Sequence, residues 1–334
     1  MRKFTVAILL VAIAVVFGGC TQKQQNNEPV IGVAKVISHT ALDAVEQGLT
    51  DVLAEKGIKV KYDFQNANGD INTAASIANK FKADNVDIAV GIGTPVAVAI
   101  ASAITDKPII FSAITDPVSA NLVETLDHGY KNITGTIDTI PIKEQIHEFL
   151  KIYPFKKLGF IYTSSESNSV SMAATTEAIC KDLGIEFIAA TITNSSEVKQ
   201  AAESLIGRVD AFYAVNDNAL MTGINALTST AAANKVPVFG ADAISALDGG
   251  SLYVMGFDYY NLGRATGEMI IEVLNGKKPS EIPVFALKDP KDYKKLIDLD
   301  AAANLGLEIP AEIINSADYI FENGTLKEQN KKQK

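Results

Sequence analysis

The feature that most constrains this chain is a regular alternation of short β-branched runs with longer, Ala-rich amphipathic segments. Runs apolar on both faces occur at Val30–Val36, Ile58–Phe64, Ile88–Val90, Ile109–Phe111 and Ile133–Ile137. Helical spacing fills the intervals at Ala41–Lys56, Ile71–Ala83 and Val96–Ile104. A second series follows, with strand-like runs at Leu158–Tyr162, Ile185–Thr191, Ala211–Val215, Val236–Phe239 and Leu252–Met255. Its helices are expected over Lys143–Ile152, Ser169–Leu183, Ser196–Ile206, Ala219–Asn234 and Tyr260–Leu274. Strands buried on both faces belong to parallel sheets covered by helices on either side. Two such series predict an α/β chain of two doubly wound lobes. Asn194 and Glu197 have capping-box spacing, and Gly57 and Gly184 stand where helices expect a left-handed cap.

The termini differ from this pattern. Arg2 and Lys3 precede an apolar run from Phe4 to Phe17, then Gly18, Gly19 and Cys20. That is the layout of an export signal over residues 1–19 with a lipoprotein cleavage site, although Phe17 stands where an aliphatic residue is usual. Cys20 is the expected lipidation site, residues 20–29 a polar tether, and residues 325–334 a disordered tail. The remaining cysteine, Cys180, leaves no disulfide or thiolate metal site and reads as a buried apolar residue. Loss of Arg2 and Lys3 with the signal takes the formal net charge from −9 to −11, which argues against nucleic acid as a partner. Roughly 300 mature residues exceed one ordinary core and suit two lobes.

In doubly wound sheets ligands bind beyond the carboxyl ends of strands, where helix N-termini present free N–H groups. The loops at those ends are Ile37–Thr40, Gly91–Pro95 and Ser112–Pro117 in the first series. The second series supplies Ser164–Ser169, Asn216–Asn218, Gly240–Asp242 and Gly256–Asp258. They mix hydroxyls, carboxamides and carboxylates, which suits a small polar or zwitterionic solute. Thr94 and Thr115 are placed to meet a carboxylate, and Asp217, Asp242 or Asp258 an ammonium. The same residue types are ordinary N-caps, so each loop carries both readings. His39 is read either as a ligand contact or as a solvated loop histidine. Phe257, Tyr259 and Tyr260 either line a pocket or pack the hinge, with hinge packing preferred.

Catalytic patterns are weak. Gly91-Ile92-Gly93 lacks the third glycine of a dinucleotide fingerprint, and Ser196–Lys199 matches S-x-x-K without its companion motifs. His39, His128 and His147 are scattered, so neither metal nor cofactor is expected. A two-lobed racemase would use one cysteine from each lobe, and the exported chain has only Cys180.

The motifs Gly93-Thr94-Pro95, Ser112–Pro117, Thr193–Val198, Asp217-Asn218 and Gly256–Arg264 resemble those of substrate-binding lipoproteins of ABC importers. The resemblance spans about residues 30–310 and points to the group associated with tryptophan and other aromatic amino acids. It implies a type I periplasmic-binding fold, two Rossmann-like lobes joined by three crossovers near Ile137–Pro141, Gly256–Asp258 and Lys278–Pro283. The expected lobes are 30–138 plus 257–280 and 139–256 plus 281–324. By motif, Thr94 and Thr115 hold the ligand carboxylate and Asp217, helped by Asn216 and Asp258, its ammonium. Ser167 and Asn168 close over the ligand, and His39, Ala113, Asp116 and Asp242 complete the candidate set. The implied partners are a small amino acid, an ABC permease with its ATPase, and a membrane reached through Cys20; a monomer is expected. A sugar or nucleoside ligand, or a sensing role, are the alternatives. The absence of tryptophan from the chain mildly disfavours stacked sugars and nucleosides.

Overall fold

A computed structural model describes residues 28–243, 246–247, 249–287 and 293–329. Cys20 and the export signal lie outside these residues. The first series gives β1 (Val30–Lys35), α1 (Thr40–Glu55), β2 (Lys61–Asn66), α2 (Ile71–Ala83) and β3 (Ile88–Ile92). It continues with α3 (Thr94–Ala103), β4 (Ile109–Ile114) and β5 (Ile133–Ile137). The second gives α4 (Ile142–Ile152), β6 (Lys157–Thr163), α5 (Ser167–Leu183), β7 (Glu186–Ile192), α6 (Val198–Leu205) and β8 (Ala211–Ala214). Then come α7 (Asn218–Thr222), α8 (Ile224–Ala233), β9 (Val238–Gly240) and β10 (Tyr253–Phe257). The chain ends with α9 (Tyr259–Leu274), β11 (Phe285–Ala286), β12 (Tyr293–Asp298), α10 (Leu299–Leu305), α11 (Ala311–Ser316), β13 (Tyr319–Glu322) and β14 (Thr325–Glu328).

Both sheets use the same strand order. The first runs β11-β5-β4-β3-β1-β2 and is parallel throughout. The second runs β14-β13-β12-β10-β9-β8-β6-β7, parallel from β7 to β10. Beyond β10, strands β12 and β14 join antiparallel to their inner neighbours. The chain leaves the first sheet after β5, returns to that lobe after β10 as α9, and re-enters the second sheet as β12. The last crossing comes later than Lys278–Pro283, because Phe285 and Ala286 still pair with Thr136 and Ile137 of β5.

Local chemistry explains where elements depart from expectation. Strand β2 starts at Lys61 because Ile58 serves the end of α1, donating its N–H to the Leu53 carbonyl past Gly57, whose φ is +68°. The helix expected over Ala219–Asn234 breaks at Gly223, where any side chain would meet Val198 and the Ser195 carbonyl. Glu197 accepts the Thr193 N–H and Asn194 that of Ser196, so the box before α6 is shifted by one residue. Residues 325–328 are strand, against the expected disordered tail. Asn323 and Gly324, with φ of +54° and +67°, form a two-residue hairpin between β13 and β14. That Asn-Gly signal was readable in the sequence.

Helix α9 is carried by the second crossing onto α1 of the first lobe. A Cβ at Gly263 would run into the Val45 carbonyl, and one at Gly48 into that of Tyr260, so the two helices pack backbone to backbone. In the second lobe Phe149 stacks on Phe239 at 4.6 Å and meets Tyr213 edge-on at 5.3 Å.

Candidate functional site

The order 2-1-3-4-5 places a switch point between β1 and β3 in the first lobe and between β6 and β8 in the second. Loops leaving those four strands diverge to opposite faces of their sheets and open a crevice. His39 follows β1 as the N-cap of α1, and Thr94 follows β3 as the first residue of α3, after Gly93 at φ +91°. Asn168 lies in the first turn of α5 after β6, and Asn216 follows β8. Helices α1, α3 and α5 have no side-chain cap from their N-cap residues, and His39, Thr94 and Asn168 at their starts line the crevice.

The crevice is nearly closed, with a cavity of about 10 Å³ left between the lobes. His39, Leu42, Thr94, Ala113 and Thr115 line it from the first lobe, Asn168, Asn216, Asn218, Met221 and Asp242 from the second, and Asp138 and Tyr259 from the crossings. Ala113 sits at a register shift in β4 with φ +54°, a conformation costly for alanine, which bends the strand end into the cavity. Larger chambers open on both sides. One of about 90 Å³ shares Asn218 with the crevice, and another of about 230 Å³ shares Thr115.

Asp138 anchors the polar network. It accepts hydrogen bonds from Thr115 Oγ1 at 2.9 Å, Asn216 Nδ2 at 3.1 Å and Tyr259 Oη at 2.8 Å. Burial pushes its carboxyl above the usual range despite those donors, and nearby Asp242 adds to the rise. Burial pulls the His39 imidazole down more than the Asp242 charge lifts it, so the ring is neutral at pH 7. Three buried polar atoms in this cavity have no hydrogen-bond partner: His39 Nδ1, Asn168 Oδ1 and Asn216 Oδ1. Buried polar atoms are nearly always paired, so their convergence on one cavity makes it the candidate ligand site.

The structure brings His39, Thr94, Ala113, Thr115, Asn168, Asn216 and Asp242 together and sends four other candidates elsewhere. Asp217 turns away from the cavity. Its carboxylate accepts from Thr163 N at 2.6 Å, Thr163 Oγ1 at 2.7 Å and Leu220 N at 2.8 Å, capping α7 and tying it to β6. Asp258 caps α9 through Asn261 N at 3.2 Å and lies 3.8 Å from Lys294. Asp116 accepts from Ser119 N and, across the lobes, from Ser171 Oγ, each at 3.0 Å. Ser167 is exposed at the start of α5 and does not line the cavity.

Sequence reasoning missed Asp138, Asn218, Leu42 and Met221, and preferred hinge packing for Tyr259. Asp138 follows β5 directly and was readable as a strand-end carboxylate, but the segment had been given to the hinge. Leu42 and Met221 lie inside α1 and α7, where an apolar residue carries no local sign of facing a ligand. Tyr259 lines the cavity while Phe257 packs on Tyr293 at 4.7 Å and Tyr260 reaches Asp51 at 3.0 Å.

A family model described as ABC transporter substrate binding protein matches residues 30–320. The chain belongs to that family. Its members bind substrates and are not enzymes. This substrate-binding protein is 36% identical over 289 residues to the tyrosine-binding protein of Clostridioides difficile strain R20291, covering 84% of this chain and 82% of that one. A Streptococcus pneumonia ABC domain in complex with L-Trp is 33% identical, with TM-score 0.83 over 88% of this chain and 100% of that one. The ligand-free, open structure of a Clostridium difficile substrate binding protein with adhesive properties is 34% identical over 85% of this chain and 96% of that one, yet its TM-score is 0.64. At nearly the same identity, the structure described here is closer to the tryptophan complex than to the open form.

Proposed function

We propose that this protein is the extracytoplasmic solute-binding component of an ABC importer and carries an aromatic amino acid in its interlobe crevice. The observation that supports this most is the convergence of two carboxylates, three unpartnered polar atoms and three uncapped helix N-termini on one cavity. The carboxylates of Asp138 and Asp242 suit an ammonium. Thr94 and the leading amides of α3 suit a carboxylate. Leu42, Met221, Ala113 and Tyr259 give the ring apolar walls. The two relatives named for tyrosine and L-Trp support the same ligand class.

Closure follows from the same geometry. A ligand that touches both lobes binds the closed form better than the open one and shifts an existing equilibrium toward it. Asp116–Ser171 and Asn216–Asp138 then add direct bonds across the cleft. The loaded form, a monomer tethered through lipid on Cys20, delivers its ligand to the permease and its ATPase.

A thermal-shift panel tests the ligand, after unfolding and refolding the protein to strip carried-over solute. At about a hundred times its Kd, a ligand of the native state stabilises it by roughly 2.7 kcal/mol. Tryptophan, tyrosine or phenylalanine should raise the midpoint; a rise with sugars or nucleosides alone would overturn the ligand. Cys20→Ala should release the protein from the membrane fraction, and retention there would refute the anchor.

A further inference from the structure

One buried acid lies at the seam between the lobes and outside the central crevice. Glu166 stands in the N-cap position of α5, after β6, without capping that helix. Its side chain lines the chamber of about 90 Å³ that both lobes enclose. Facing it from the first lobe are Val36, Ile37 and Pro95, which offer no side-chain donor. Asn218 donates its Nδ2 to Glu166 Oε2 at 2.5 Å. Asn218 in turn reaches the first lobe: its Oδ1 would lie 3.8 Å from a Cβ at Gly93, and its carboxamide bonds to the His39 ring.

The charged groups around Glu166 are of one sign. Asp217, at the start of α7, repels its charge from within the second lobe. Asp70, the cap of α2, stands on the first-lobe side of the same chamber. Glu197 lies beyond Thr193, whose N–H and hydroxyl it accepts. His39 stands behind Asn218, and its ring is neutral. Among the described residues that line the chamber there is neither lysine nor arginine. Asn218 and Asn168 favour the ionised form, but burial and the Asp217 charge outweigh them and push the carboxyl up to about 8.

Closure completes this burial. With the first lobe swung away, water reaches Glu166 where Val36, Ile37 and Pro95 cover it, and the carboxyl ionises more easily. We infer that closing the cleft over its ligand takes up a proton at Glu166, so that the protein grips its ligand in mildly acidic surroundings and loosens in alkaline ones. The inference rests on the ligand-driven closure proposed above. A group raised by closure favours the closed form fully below its open-form value, and that help is lost as pH rises through about 8. Across that window Kd climbs by up to about tenfold per pH unit, and above it Kd levels off. Burial lowers His39, so that ring acts in the opposite sense, near and below its ordinary 6.5. Asp138 is raised by burial in the crevice and acts in the same sense as Glu166, so a Glu166 variant is needed to separate them.

Titration calorimetry with L-tryptophan on the stripped, full-length protein tests this between about pH 6.5 and 8.5, in buffers of differing ionisation enthalpy. The wild type is expected to weaken at least about fivefold across that range and to take up protons on binding. Glu166→Gln, which imitates the protonated acid, should bind like the wild type at the acid end and lose most of the pH dependence and the uptake. A pH dependence that survives intact in Glu166→Gln, or none in the wild type, overturns the inference and leaves the functional reading standing. If neither tryptophan nor tyrosine binds, the functional reading fails, and the proton is then sought in lobes locked shut. Asp116→Cys with Ser171→Cys supplies the lock as a disulfide, since the native side chains meet across the cleft at 3.0 Å. An infrared carboxylic-acid band at neutral pH, removed by Glu166→Gln, should be stronger in the locked form than after reduction. Equal bands in the two forms would overturn the inference.

Discussion

Replacing Asp217 with alanine should cost stability and leave the ligand's charged partners in place. The side chain is fully buried, and its three hydrogen bonds come from the Thr163 backbone, the Thr163 hydroxyl and the Leu220 backbone. Loss of an N-cap costs about 1 kcal/mol, and stranding the buried Thr163 donors adds about 1–3 kcal/mol. Relief of the repulsion between Asp217 and Glu166 offsets a part of this. A net loss of about 3 kcal/mol lowers the melting temperature by roughly 6–12 °C at this size. The assay pairs ligand-free melts of Asp217→Ala and Asp242→Ala with ligand titrations of both. Asp217→Ala should melt early and keep Kd within a few fold, while Asp242→Ala should melt near the wild type and lose about a hundredfold in affinity. If Asp217→Ala melts at the wild-type temperature without ligand yet no longer binds, the helix-cap assignment is wrong.

Burial and the neighbouring Asp217 carboxylate push Glu166 up to about 8, against an ordinary value of 4.5. The folded protein thus holds a proton that the unfolded chain has released, so this contribution is full below about pH 4 and is lost as pH rises through about 8, at up to about 1.4 kcal/mol per unit. Glu166→Gln should flatten that slope in denaturation series, and an unchanged slope would remove Glu166 as its source. Asp116→Ala deletes the bond to Ser171 across the closed cleft, worth about 1 kcal/mol, so ligand release should quicken about fivefold in stopped-flow traces. Ser171→Ala should do the same and the double variant no more, whereas additive effects would mean the two side chains act separately.

The strand and helix series of both lobes was legible in the sequence because hydrophobic period is a local property. Helix α2 and strand β5 were expected at their observed ends. His39, Thr94, Ala113 and Thr115 meet at the crevice for a related reason: strand ends in a doubly wound sheet converge at the switch point whatever the neighbouring side chains are. Strands β14 and β11 carried weaker signals, being short and added at sheet edges, and β12 is interrupted by Lys294 and Lys295.

Carboxylate roles were not legible, and the reason is distance along the chain. Asp217, Asp242 and Asp258 all stand in polar turns after strands, and nothing local separates a cap from a ligand contact. Asp217 is committed because Thr163, 54 residues earlier, presents two donors to it. Asp138 faces the cavity because Thr115, Asn216 and Tyr259, from three different strand ends, hold it there. The sequence by itself determined two covered parallel sheets and a crevice of polar loops between them. Only the tertiary structure decided which carboxylate is taken up by neighbouring backbone and hydroxyl donors and which faces the crevice, because a buried acceptor is satisfied by whatever donor packing brings within about 3 Å.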